Sequence, residues 1–547
     1  MSSRRSWSAL LLVLMGLTFV SNSGAFPEDI MEARNLATAR EMLEDGNWLS
    51  PTMNGEPRLE KPPLPTWAAA AVMSAVGPDR LALLRLPAAA AAALLVLFLL
   101  ALTRELTDDE TTPFLAAATA ATSFYVVVMA RNITWDIFCH AFMLGAVWQL
   151  HRGMARDRMR LLPFVLAGLL MGLSFLSKGP VAFYALLLPY LIARAASSGA
   201  APFKAHARPL LLAALVAIVI SAAWPLHVYL AHPELSAEVA RKESSAWLGR
   251  NVRPFFHYWS FPVQSGVWAV LGAAALVFPY ARRRLGRSGV HGLLAGWVWA
   301  GVLLLSIFPE KKERYLLPVL LPLAMLTAFY VRSLVDAYRD GTATRADTFV
   351  LRLDASVKAL GSFALPVVMW WVIRRNGFTP DPLLTIAGAL VFWSLGLVLA
   401  RAAWRKEPVV VWGATVALAA AVCVLAAGQL PKIATTNRGF RPYQELRHRA
   451  DLAGMPFFRS AGVRGKFIEV VWASGREIGF WDPRLEPTPP VDPPLVLLSP
   501  EAPAEVLGPE LCQRYEVEEL GVFDGDQRGR GAGALRNHVT VIRPRVR

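Results

Sequence analysis

The segment PEDIMEARNLATAREMLEDGNWLSPTMNGEPRLEKPPLPTW gathers the carboxylates and rigid charged pairs from which a proton-transfer site could be built. Asp29 and Glu32 stand three residues apart, so a helix between Asp29 and Leu43 puts them on one face. A partly buried carboxylate whose neighbours hold its pKa near the working pH can take the proton of an attacking hydroxyl. A solvated amphipathic helix, with Ala33, Leu36, Ala37 and Arg40 at its interface, accounts for the same residues without chemistry. Glu60 and Lys61 then precede Pro62 and Pro63, whose rings fix φ and disfavour helix at Lys61. That rigidity suits a positioned ligand contact, and it also suits a loop re-entering a membrane interface.

Cations form the second group. Lys178 lies in SFLSKGP, and Lys311, Lys312, Arg314 and Tyr315 lie in PEKKERYLLPVLLP, both at the expected outer ends of apolar helices. Placing Lys or Arg at the centre of a membrane helix costs about 2.5 to 3.5 kcal/mol, and less near the interface, so such a cluster points to a cavity holding an anion. A lipid phosphate at headgroup depth is such an anion, although snorkelling explains an isolated lysine well. Asp136 follows Arg131 by five residues in ARNITWDIFCHAF and can pair with Arg131 or with Lys178. The loop from Leu230 to Pro262 adds Glu243, Arg250, Arg253 and the string PFFHYW, where Arg253 beside Tyr258 and Trp259 suits sugar and phosphate contacts. Interfacial aromatics also form membrane belts, and His257 reads as a belt residue rather than a metal ligand.

These residues need a membrane scaffold. The 547 residues are 55% hydrophobic and only 18% charged, with mean hydropathy +0.40, which excludes an ordinary soluble globular protein. Apolar runs long enough to cross about 30 Å of hydrocarbon recur from Leu10 to Leu425. After a first span or signal segment behind Arg4 and Arg5, they centre near residues 93, 121, 142, 169, 187, 218, 271, 299, 323, 366, 391 and 417, which predicts about thirteen spans with the C-terminus outside. Basic residues agree at alternate loops: Arg152, Arg156, Arg158 and Arg160, then Arg282, Arg283, Arg284 and Arg287, then Arg401, Arg405 and Lys406, whereas Arg374 and Arg375 oppose the pattern. The net charge of +15 therefore reports topology, and nucleic acid is not an expected partner. The three cysteines, Cys139, Cys423 and Cys512, form no disulfide framework or zinc spacing.

The predicted organisation is an all-α polytopic membrane domain over 1–430, with a large first extracytoplasmic loop at 21–80, and a small extracytoplasmic α/β domain over 431–547. In the latter, Phe467 to Trp472, Leu495 to Leu498 and His538 to Ile542 read as strands, and Tyr443 to Leu452 as helix. No Gly-rich phosphate loop is present, and the bland reading is a packing or acceptor-facing module.

In this order, EARNLATAREMLEDGNWLSPTMNGEPRLEKPPLPTW, Arg85-Leu86-Pro87, SFLSKGP, Trp224-Pro225, PFFHYW and KKERYLLPVLLPLA resemble the C-type glycosyltransferases, which include bacterial 4-amino-4-deoxy-L-arabinose lipid A transferases and protein O-mannosyltransferases. The resemblance covers most of the membrane part. It implies inverting transfer of a sugar from a polyprenyl phosphate to a lipid, glycan or protein acceptor, at a bacterial inner membrane with the site facing the periplasm. It further implies that a first-loop acid deprotonates or positions the acceptor. The family pattern places Asp-Glu before the helix; here the Glu matches Glu32 but Met31 holds the Asp position, leaving Asp29, Glu28 or Glu32 itself as base. Glu60 and Lys61 match the cavity-mouth pair, whose acidic member holds a divalent metal in some relatives, with no histidine partner evident here. Lys178, Lys311, Lys312 and Arg314 match positions suited to the donor phosphate, where fixed cations stabilise charge developing on the leaving group. No nucleotide cofactor is expected.

A transporter or lipid flippase would share the spans and intramembrane cations, but no repeat between the halves is evident, and repeats are the usual mark of such proteins. A non-catalytic member of the family remains a third reading, if Met31 marks loss of the base.

Overall fold

Runs of Ala, Leu and Val too long for strands can satisfy their backbone in lipid only as helices, and helices dominate the computed structural model. It describes residues 2–155, 160–249, 251–277, 280–285, 289–463, 467–529, 533 and 535–545. Arg156, Arg158, Arg250 and Arg287 lie outside the described residues, as does the side chain of Arg284. Eight helices among the described residues are long and apolar enough to cross a membrane: Ser6–Ala25, Leu81–Arg104, Ala207–Ala231, Val290–Ile307, Glu313–Arg339, Arg345–Arg375, Pro382–Arg405 and Pro408–Ala434. Large apolar side chains on their outer faces, such as Leu211, Ile218, Leu230, Leu383, Leu390 and Leu397, are exposed. Such continuous apolar surface belongs against lipid, and the chain is an integral membrane protein.

A ninth span is made by Thr111–Ala121 and Phe124–Ala130 if the pair, bent by 63°, counts as one. At the bend, the Thr122 hydroxyl donates to the Ala118 carbonyl at 2.6 Å and the Ser123 hydroxyl to that of Thr119 at 2.8 Å, and such back-bonding bends helices. The count of thirteen is not reached by length and apolarity. Trp135–Met154 carries Asp136, His140, Gln149, His151 and Arg152. Leu162–Lys178 and Phe183–Ser198 are shorter apolar helices, and the centre near 271 falls just beyond the junction of the 3-10 stretch Phe255–Trp268 with Ala269–Leu276.

The first outer loop folds around the helix Ile30–Asp45. Asp29 caps it, its Oδ1 accepting from the backbone N–H groups of Met31 at 2.8 Å and Glu32 at 2.9 Å, and Gly46 closes it at φ 71°. The helix buries Ala33, Leu36, Ala37 and Met42. Asn54 and Gly55, at φ 58° and 74°, turn the hairpin of β1 (Thr52–Met53) and β2 (Glu56–Pro57). Buried Glu41 ties that hairpin to the helix by accepting from Thr52 Oγ1 at 2.8 Å and the Asn54 N–H at 2.6 Å.

Beyond Pro431, five strands form one mixed sheet in the order β4-β3-β5-β7-β6: β3 Phe457–Arg459, β4 Ile478–Phe480, β5 Leu495–Ser499, β6 Tyr515–Asp524 and β7 Arg536–Pro544. β3 runs parallel to both β4 and β5, while β7 is antiparallel to β5 and β6. The segments 495–498 and 538–542 are strands as expected, but Phe467–Ser474 is a helix and corrects the strand reading. Its Val-rich run buries Val470, Val471 and Trp472, and the helix packs against Ile30–Asp45; a short apolar run does not distinguish strand from helix by pattern. The expected helix from Tyr443 to Leu452 is reduced to Gln444–Arg447 and a 3-10 turn at Ala450–Leu452. The sheet docks on the first loop through Arg40 Nη1 to the Val471 carbonyl at 3.2 Å, Asn54 Nδ2 to that of Ile478 at 3.0 Å, and Arg447 Nη1 to Asp79 at 2.9 Å.

Candidate active site

Two cavities flank the first outer loop. The first, of about 250 Å³, opens between Glu60, Lys61, Lys178, Tyr184, Trp224 and Tyr315. Its depth is set by Lys178 at the C-terminal end of Leu162–Lys178, where Gly179 at φ 76° turns the chain away. The Lys178 ammonium donates to Asp136, and both side chains are buried. The Tyr315 ring lies 5.3 Å from Lys178 Nζ, 5.6 Å from Lys312 Nζ and 5.8 Å from Arg314 Cζ, so three cations gather round one aromatic ring. At the mouth, Lys61 Nζ meets Glu243 at 2.9 Å, and Lys242 Nζ meets Glu60 at 3.0 Å. Lys312 Nζ meets Glu310 at 2.7 Å. Burial pulls the Glu60 carboxyl upward, but the hydrogen bond from Lys242 and the charges of Lys242 and Arg58 outweigh it and hold Glu60 below the usual range.

Glu60 is held by the Lys242 ammonium and the Arg58 charge, and the other carboxylates lining this cavity, Glu243 and Glu310, are each held by a lysine. Carboxylates already paired with cations do not fit a divalent cation. Among the described residues one group of three carboxylates, Glu41, Asp45 and Glu477, is close enough together to share a cation, at the junction of the first loop with the sheet.

The second cavity, of about 470 Å³, lies between the first loop and the C-terminal segment, lined by Glu28, Asp29, Gln444, Glu469, Asp526 and Arg528 among others. Gln444 Nε2 donates to Glu28 at 2.8 Å. Asp29 is exposed; with Oδ1 capping the helix, its Oδ2 is left 3.4 Å from Asn132 Nδ2. Asp29 is also within electrostatic reach of Arg314, which in turn faces Asp136 and hydrogen-bonds Tyr315.

Glu32, expected on the same face as Asp29, is fully buried and held by Arg85 Nε at 2.7 Å and Nη2 at 2.5 Å, and by the Ile133 N–H at 3.1 Å. Burial pushes its carboxyl up while Arg85 opposes the shift. Both oxygens are engaged, and the shared helix face does not bring Glu32 to solvent beside Asp29. Seven other expected residues lie outside both linings, three of them, Asp136, Lys312 and Arg314, beside Lys178 or Tyr315. Arg131 Nε donates to the Thr18 carbonyl at 2.7 Å and its guanidinium covers the Phe26 ring. Lys311 Nζ donates to the carbonyls of Phe308 at 2.5 Å and Arg253 at 3.3 Å. The Arg253 side chain is exposed, and the Tyr258 hydroxyl is hydrogen-bonded to the Lys312 backbone. Sequence spacing missed Gln444, Glu469, Asp526 and Arg528, because only the docking of the sheet brings them to the first loop.

The family profile described as dolichyl-phosphate-mannose-protein mannosyltransferase matches residues 60–224. A Pseudomonas fluorescens protein, undecaprenyl phosphate-alpha-4-amino-4-deoxy-L-arabinose arabinosyl transferase 1, is 29% identical over 451 residues, covering 79% of this chain and 78% of its own. A Pseudomonas aeruginosa transferase of the same description is 28% identical over 468 residues, with 80% and 78% covered. The fold is that of the crystal structure of ArnT from Cupriavidus metallidurans bound to undecaprenyl phosphate, at TM-score 0.67 and 17% identity over 98% of each chain.

Proposed function

We propose that this chain, a C-type glycosyltransferase by fold and by sequence likeness, transfers a pentosyl or hexosyl group from a polyprenyl phosphate to an acceptor at the extracytoplasmic face, with inversion. One observation carries the reading: Lys178, Lys312 and Arg314 gather round the Tyr315 ring beside the cavity that Glu60 and Lys61 border, a cluster of fixed cations suited to a phosphate. The donor phosphate sits by Lys178, Arg314 and Tyr315. It takes Lys61 from Glu243, since part-exposed pairs exchange partners at little cost, while Lys312 stays on Glu310 and buried Asp136 on Lys178.

Asp29 accepts the proton of the acceptor, whose oxygen bonds to the anomeric carbon. The bond from that carbon to the phosphate oxygen breaks, and its electron pair leaves on the polyprenyl phosphate, where the fixed cations stabilise it. The likeness to the Pseudomonas transferases supports a bacterial inner membrane as the location and undecaprenyl phosphate as the carrier. An odd number of passes, as the alternating basic loops favour, supports a site and a C-terminal sheet facing the periplasm.

Single-turnover transfer from a polyprenyl-phosphate sugar tests the base. Asp29→Asn preserves the helix cap and removes the charge, so the rate falls about 10²- to 10⁴-fold with donor binding retained. An unchanged rate removes Asp29 from the mechanism.

A further inference from the structure

Arg374 and Arg375 oppose the charge pattern of the other loops, and neither cavity uses them. They end the helix Arg345–Arg375 on the face that carries the C-terminal sheet, because Asn376 Nδ2 donates to the carbonyls of Lys432 at 3.1 Å and Ile433 at 2.9 Å, where the chain leaves its last span. Both arginines are exposed, with Arg374 Cζ 6.0 Å from the Trp370 ring and Arg375 Cζ 5.1 Å from that of Trp371. Lys432 Nζ, which donates to the Thr379 carbonyl at 3.1 Å, adds a third cation to this rim. Asp381, in the connecting turn, caps the next helix by accepting from the Leu384 N–H at 3.0 Å. Over 374–384 and 430–434, three cations thus stand against one carboxylate.

Next to this rim, the spans Arg345–Arg375 and Pro382–Arg405 and the segment 422–429 leave an apolar groove lined by Pro366, Trp370, Ile373, Leu384, Phe392 and Gln429. Trp370 belongs to both features, since it walls the groove and carries Arg374 over its ring. Gln429 is 9% exposed, and its Oε1 has no hydrogen-bond partner among the described residues. A buried acceptor left over by the fold calls for a donor from outside it. We propose that rim and groove together bind one acidic phospholipid of the leaflet on the side of the C-terminal sheet, its phosphate on Arg374 and Arg375, an acyl chain in the groove and a headgroup hydroxyl on Gln429. Charge complementarity selects this occupant. Guanidinium groups engage phosphate oxygens through paired N–H donors, and cations at a membrane surface favour anionic over zwitterionic lipid. A soluble anion would leave the groove unfilled, and a neutral lipid would leave the guanidiniums without a counter-charge. The groove shares no lining residue with either cavity, so the inference does not depend on the transferase reading.

Native mass spectrometry of the full-length protein in detergent, titrated with phosphatidylglycerol or phosphatidylcholine of identical chains, reads the site. Two surface cations make retention of phosphatidylglycerol roughly tenfold or more above that of phosphatidylcholine. Arg374→Gln with Arg375→Gln abolishes the preference, whereas Arg374→Lys with Arg375→Lys preserves the charge and keeps a measurable share of it. Both positions are exposed, so the thermal midpoints of the lipid-free variants match the parent. Gln429→Leu leaves the cations in place and lowers phosphatidylglycerol retention roughly 2- to 10-fold through the lost hydrogen bond, with phosphatidylcholine unaffected. Equal retention of the two lipids by the parent, or a preference that survives loss of both guanidiniums, overturns the proposal. Undiminished retention by Gln429→Leu overturns the placement of the lipid in this groove. Displacement of bound phosphatidylglycerol by one equivalent of polyprenyl phosphate also overturns the proposal and gives the groove to the donor chain.

Discussion

Arg85 grips both carboxylate oxygens of Glu32, Nε to Oε1 at 2.7 Å and Nη2 to Oε2 at 2.5 Å, with neither side chain reaching solvent. Arg85 also donates to the carbonyls of Ser23 and Phe26, and Glu32 accepts from the Ile133 N–H. One ion pair therefore joins the end of the first span, the loop helix, the entry to Leu86–Arg104 and the bend before Trp135.

Removing one partner of a buried pair leaves the other charge uncompensated, at about 3–5 kcal/mol. Glu32→Gln is thus expected to lower the urea or thermal midpoint in detergent strongly and to lose activity through unfolding. A Glu32→Gln protein of normal stability with turnover reduced a hundredfold would assign the base to Glu32 instead.

The reason this role escaped the sequence is physical. Spacing within the loop shows that Asp29 and Glu32 share a helix face, but Arg85 is 53 residues beyond Glu32, and only packing decides which carboxylate it meets. Patterns that act locally were legible: the helix beginning at about Asp29, the strands near 495 and 538, and the apolar helices with charged ends. So was the pairing of Asp136 with Lys178, one of the two partners open to it. Side-chain direction was not legible in Lys311, Lys312 and Arg314, which look equivalent in sequence. Lys311 turns back onto two carbonyls, while Lys312 and Arg314 flank Tyr315. The strand reading of 467–472 failed because burial against the loop helix, a tertiary contact, outweighs the strand preference of valine.

Topology gives a second prediction. Exposed residues on the C-terminal body and in the basic loop after Tyr280 carry cysteine without disturbing packing, as Glu486 and Arg283 do. Glu486→Cys is expected to react with an impermeant thiol reagent added to cells with a permeable outer membrane, and Arg283→Cys only after lysis, because Arg-rich loops stay inside. Labelling of 283 and not 486 in intact cells would invert the topology and move both cavities to the cytoplasmic side.

Acid reports on the sheet. Asp482 accepts from Arg484 Nε at 3.0 Å and Nη2 at 2.9 Å and from the Ala461 N–H at 3.0 Å, and its pairing with Arg484 holds its carboxyl down to about 2. A carboxyl whose pKa is lowered on folding stabilises the fold fully above its ordinary pKa of 3.8 and loses that contribution as pH falls through about 2. Unfolding followed by the fluorescence of neighbouring Trp481 is expected to show stability falling between about pH 4 and pH 2. Asp482→Asn flattens the slope in that window. An identical slope in wild type and variant would show that Asp482 does not couple to folding.

The Lys178–Asp136 pair separates a structural role from a catalytic one. Both side chains are buried beside Tyr315, so Lys178→Met alone strands a carboxylate and is expected to cost about 3–5 kcal/mol in stability. Lys178→Met combined with Asp136→Asn removes both members of the pair, leaving Arg314 its Tyr315 contact, and replacing both members of a buried pair is often nearly neutral. The double variant should therefore recover most of the lost stability. It should not recover transfer, because the ammonium that steadies the departing phosphate is gone, and a hydrogen bond to a charged group is worth about 1.5–3 kcal/mol, or roughly a 10- to 150-fold loss in rate at 1.4 kcal/mol per tenfold. Thermal midpoints and single-turnover rates for the three variants place the pair. Wild-type turnover in the stable double variant would make Lys178 a packing residue and shift the donor phosphate to Lys61, Lys312 and Arg314.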